Sequence, residues 1–108
     1  MSSSAISIEQ KLARASEEIK EGRKWRAIGL WRQAITIVDQ DPDLDPRYSL
    51  DVRDRIAALF LSVGHYAEAS RLDNEIEEIL DEIDRDGLLE DFVEEIRINI
   101  QRRRKEEE

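Results

Sequence analysis

The sequence predicts an all-α fold of five antiparallel helices, on three observations. Helix breakers are rare, with four glycines and two prolines in 108 residues. Isoleucine, leucine, alanine, glutamate and arginine dominate, a mixture that favours helix along the whole chain. Apolar residues recur at three- and four-residue spacing, and the pattern stops only where a turn signal stands.

The elements follow in order, over about 8–21, 24–39, 46–63, 66–84 and 88–104. Ser7-Ile8-Glu9-Gln10 has the spacing of a capping box, which places the first helix start near Ile8 and leaves 1–6 as a disordered N-terminus. The stripe of that helix is Ile8, Leu12, Ala15 and Ile19, and Gly22 ends it. The second helix is much more apolar. Ala27, Ile28, Leu30, Trp31, Ala34, Ile35, Ile37 and Val38 occupy half its circumference, enough to pack against two neighbours. DQDPDLDP at 39–46 cannot continue a helix, and Asp45-Pro46 then supplies a cap followed by proline at the first helical position. The third helix buries Val52, Ile56, Ala57, Leu59, Phe60 and Val63, and Gly64 closes it. The fourth carries Tyr66, Ala69, Leu72, Ile76, Ile79, Leu80 and Ile83, with Arg85-Asp86-Gly87 as the last turn. The fifth carries Leu88, Leu89, Phe92, Val93, Ile96 and Ile100 before QRRRKEEE frays. Residues 7–105 thus form a single helical domain, with 106–108 as a charged tail.

Two of these turns share a pattern. GRKWRA at 22–27 and GHYAEA at 64–69 both read glycine, four residues, alanine, and they lie 42 residues apart. A glycine at such a break permits a left-handed turn, and a small residue five later lets paired helices approach closely. The arrangement resembles the tetratricopeptide repeat. Ile56, Ala57 and Phe60 also fall where that family places first-helix packing residues, and Trp31 and Ala34 match its second-helix aromatic and alanine. Asp73 and Ile76 depart from that pattern, and the spacing exceeds the family's usual period. The resemblance implies two helix-turn-helix units over about 8–85 and a C-terminal capping helix. It also implies a ligand groove lined by the first helix of each unit. Here that means Glu9, Leu12, Ser16 and Lys20, then Asp51, Asp54, Ala58 and Leu61. The basic residues with which some members clamp a peptide carboxylate are not reproduced, so a basic or amphipathic segment suits such a groove.

The residues themselves single out Trp25. It lies in the polar half of the second helix, with Gly29, Arg32 and Thr36 as neighbours, whereas Trp31 lies in the apolar half. Two readings stand: Trp25 folds back over the Gly22 turn, or it is an exposed anchor beside a glycine, the tryptophan–arginine combination common at interface hot spots. A mid-helix glycine costs on the order of 1 kcal/mol relative to alanine, so Gly29 calls for something close by, an internal helix crossing before a ligand. His65, the single histidine, reads as a solvent-facing residue near a helix end. Arg102, Arg103, Arg104 and Lys105 read as cations complementing a helix C-terminus. The acids of the fourth helix read as its wet face.

The formal charge of −9 is unevenly spread: residues 11–32 hold seven cations against three glutamates, net +4, and residues 73–95 hold twelve acids against Arg85, net −11. With no cysteine, Glu-x-x-His motif, nucleophile–base pair or phosphate-binding glycine loop, neither catalysis nor a metal or other cofactor is expected. MSSSAISIEQ lacks the pattern of a signal peptide and no apolar run is long enough to span a membrane, so the expected setting is soluble and cytoplasmic. Neither nucleic acid nor membrane is an expected partner. The sequence supports a non-enzymatic adaptor that binds a protein or peptide through Trp25, Gly29, Arg32, Asp51, Asp54 and Leu61. A synthetic helical binder or scaffold also fits the absence of cysteine and the dense surface charge. The third reading is a subunit of a homo-oligomer.

Overall fold

The computed structural model describes residues 2–84 and 90–107, the side chain of Asp84 excepted. The described residues form five helices and no strand: α1 (Ser3–Lys20), α2 (Lys24–Gln40), α3 (Pro46–Ser62), α4 (Tyr66–Asp84) and α5 (Glu90–Glu107). The all-α expectation therefore holds. Arg85, Asp86, Gly87, Leu88 and Leu89 lie outside the described residues. No helix among the described residues is long and apolar enough to cross a membrane.

By packing, the chain divides into two units, Met1–Val52 and Arg53–Glu108. In the first, α1 packs against α2. Ile8, Ala15, Ala27, Ile28 and Ala34 are fully buried, and Trp31 is 1% exposed. The first helix starts earlier than the Ser7 box predicts. Ser2 is the cap, its side chain accepting from the Ala5 N–H at 3.1 Å. Ala5 is 6% exposed and extends the stripe one turn upstream. Tyr48 reinforces that turn from α3, donating to Glu9 Oε2 at 2.6 Å with the Ala5 carbonyl oxygen 3.4 Å away. Ile19, expected within the stripe, stands in the last turn and is 40% exposed.

The DQDPDLDP segment turns as predicted. Asp41 Oδ1 accepts from the Asp43 N–H at 3.0 Å, and Leu44 is buried beneath the turn. Asp45 then caps α3, its Oδ1 accepting from the Arg47 N–H at 2.8 Å.

In the second unit α4 packs against α5. Ile56, Ala57, Ala69, Ile76 and Leu80 are fully buried, with Phe60 and Ile100 nearly so. Tyr66, predicted on the apolar stripe of α4, is its first residue and is 51% exposed. The end of α5 does not fray at 105; it continues to Glu107 because Arg103 and Arg104 fasten it to α4. Arg104 bonds to Asn74 at 3.0 Å and to Glu77.

The two glycine turns have one hydrogen-bond pattern. Gly22 (φ 76°) donates to the Ile19 carbonyl at 3.0 Å, and Arg23 to Glu18 at 2.8 Å. Gly64 (φ 81°) donates to Leu61 at 3.0 Å, and His65 to Phe60 at 2.9 Å. Both are Schellman closures, in which the residue after the glycine also meets the side chain five positions earlier. At the second turn that meeting is a stack of His65 on Phe60, ring centroids 6.3 Å apart. At the first it is an ion pair, Arg23 Nε to Glu18 Oε2 at 2.6 Å. His65 is accordingly half-buried packing, with Nδ1 3.6 Å from Glu68 Oε1.

Candidate functional site

The left-handed turn at Gly22 leads directly into α2, so the first residues of that helix are presented at its edge. Trp25 is 70% exposed, which settles its placement in favour of the surface reading. Gly22, Arg23, Lys24, Trp25 and Arg26 line an open depression, and Lys24 Nζ stands 5.7 Å from the centre of the Trp25 ring. Glu18 is held below its ordinary value of 4.5, first by its hydrogen bond to Arg23 and then by the charges of Arg23, Arg26 and Arg14. The same bond raises Arg23. One carboxylate therefore answers three guanidiniums. The first turn of α2 has no acidic residue, and its cap, Arg23, makes no side-chain capping bond.

Gly29 stands one turn beyond Trp25. Among the described residues no neighbouring atom lies within 4 Å of where its Cβ would be, so none of them makes the close helix crossing expected there. With open space and helical backbone, Gly29→Ala is expected to raise stability by about 1 kcal/mol. A urea melt checks this, and an unchanged or lower midpoint contradicts it. Arg32 is exposed on the next turn, where its carbonyl oxygen accepts from Thr36 Oγ1 at 3.0 Å. Asp51 is also exposed.

Two of the groove residues are taken up by packing. Leu61 is 9% exposed, one turn after fully buried Ala57, and belongs to the core. Asp54 has a side chain only 15% exposed, lying 2.7 Å from Arg103 Nη2 and accepting from Asn99 Nδ2 at 3.0 Å. Neither is a surface contact.

The residue that draws Asp54 inward belongs to a network the sequence reading missed. Asp73 is fully buried. Arg103, 6% exposed, reaches it with Nε 3.0 Å from Oδ1 and 3.3 Å from Oδ2, and with Nη2 2.8 Å from Oδ1. Burial pushes the Asp73 carboxyl up from its ordinary value of 3.8, against the pull of Arg103. Burial works against the charge on Arg103, yet the two carboxylates raise its value. The expectation that Arg103 is a surface cation at a helix end is thus corrected. The signal was present: Asp73 sits between Ala69 and Ile76 on the apolar stripe of α4, and Arg103 three residues after Ile100 on that of α5.

Among the described residues no group of three or more histidines, cysteines and carboxylates is placed to hold a metal. The class defined so far is an all-α chain of five helices with an aromatic-basic edge. No protein-family model, curated protein or solved structure matches it.

Proposed function

We propose that the chain is a non-enzymatic protein-interaction module that docks through the Trp25 edge of α2. The observation that carries this reading is the 70% exposure of Trp25 in a chain whose other tryptophan is 1% exposed. Exposing an indole serves no packing purpose, and tryptophan beside arginine is the usual make-up of a binding hot spot. Arg32, two turns along the same helix, extends the edge, and Gly29 between them leaves room for a partner to approach the backbone. The groove of the tetratricopeptide reading contributes less, because Asp54 and Leu61 are occupied inside the protein. The repeat architecture stays part of the proposal, supported by the two matching Schellman turns and the small buried alanines, Ala27 and Ala69, that follow them.

Selection of peptides from a random display library against the full chain tests the reading and requires no identified partner. The binders are expected to lose on the order of 2 kcal/mol, roughly thirtyfold in affinity, on Trp25→Ala. Binders that hold Trp25→Ala as tightly as the parent overturn it.

A further inference from the structure

The Trp25 edge also carries information about the charge of what it receives. We infer that the occupant is an acidic segment of another protein, presenting carboxylates beside an apolar side chain; this rests on the docking reading above. The indole offers apolar area, and the surrounding side chains are cationic: Arg23, Lys24 and Arg26 line the same depression, and Arg14 adds its charge at Glu18. Arg23 is engaged by Glu18 at 2.6 Å, and over residues 14–26 five cations stand against three glutamates. Lys24 and Arg26 sit in the first turn of α2, where the helix dipole disfavours positive charge, and that turn holds no acidic residue. A partner carboxylate relieves both the excess charge and the dipole.

The net charge of −9 does not oppose this at contact. Screening at physiological salt acts over about 8 Å, so the local cluster governs a docked segment. A nucleic-acid strand fits less well, since a single indole gives no run of stacking platforms and Glu17, Glu18 and Glu21 stand among the cations. The partner expected from the sequence carries a basic or amphipathic segment, suited to the groove of the repeat resemblance. The exposed aromatic stands instead in the basic part of the chain.

The library binders that depend on Trp25 supply the test. They are expected to be net acidic, to weaken about tenfold or more on Lys24→Glu with Arg26→Glu, and to weaken as salt rises. Both positions are exposed, and a circular-dichroism melt matching the parent confirms that the double variant folds. Trp25-dependent binders that are neutral or basic overturn the charge assignment and leave the docking reading standing. If no binder depends on Trp25, both fall. An oligothymidylate that binds through Trp25 more tightly than the acidic peptides overturns the assignment in favour of nucleic acid. A concentration-dependent dimer lost on Trp25→Ala overturns it in favour of a second copy of the chain.

Discussion

Arg103→Ala is expected to destabilise the protein by about 3–5 kcal/mol, because it leaves the Asp73 carboxylate buried without its counterpart, and Asp73→Ala by less, because Arg103 keeps Asp54. Such a loss is a large fraction of the stability of a chain this size. The geometry makes the effect specific to the pair. Arg103 meets Asp73 through two nitrogens, and the same guanidinium reaches Asp54 at 2.7 Å. Removing Arg103 therefore strands a fully buried carboxylate, while Asp54 keeps Asn99 at 3.0 Å. The pair is not thereby a net source of stability. A double variant, Asp73→Leu with Arg103→Met, is expected to recover most of the loss, since apolar residues of similar volume commonly replace a buried ion pair without penalty. Urea melts of the four proteins decide it. A loss below about 1 kcal/mol for Arg103→Ala is the value of an exposed pair and contradicts the burial.

Trp31→Ala carries the second large effect, also about 3–5 kcal/mol, set by the cavity left when a buried indole is removed. Trp25→Ala is expected to change stability by no more than about 0.5 kcal/mol, as for surface positions without a structural role. The contrast matters more than either number. Trp25 stands in the first turn of α2 and Trp31 near its middle, so a shared role in packing makes both substitutions costly, and the exposure of Trp25 makes only one so. If Trp25→Ala costs several kcal/mol, the indole is part of the core and the docking proposal loses its anchor.

Much of the fold was legible in the sequence where a single residue type forces the backbone. Gly22 and Gly64 mark left-handed turns because their φ values suit glycine alone, and Asp45-Pro46 marks the start of α3 because its cap and its missing N–H act locally. The start of α1 was less legible, since Ser2 and Ser7 both offer a hydroxyl ahead of a helical stripe. Burial of Ala5, a tertiary matter, decides between them. The Asp73–Arg103 pair was hidden for a related reason. Each residue resembles its charged neighbours, and 30 positions separate them. Only their places on apolar stripes distinguish them from surface charge. Leu61 and Asp54 were misplaced because family positions were carried over where helix periodicity points inward. The exposure of Trp25 lay beyond sequence reading, because a side chain in the first turn of a helix is free to fold over the preceding turn.

The unequal placement of the two indoles has an optical consequence. Shielded from water, Trp31 should emit at shorter wavelength and resist a dissolved quencher such as iodide, whereas Trp25 should emit toward the red and be quenched readily. The protein thus carries two built-in reporters on one helix. Light from Trp31 follows unfolding, and light from Trp25 follows whatever comes to rest on the α2 edge.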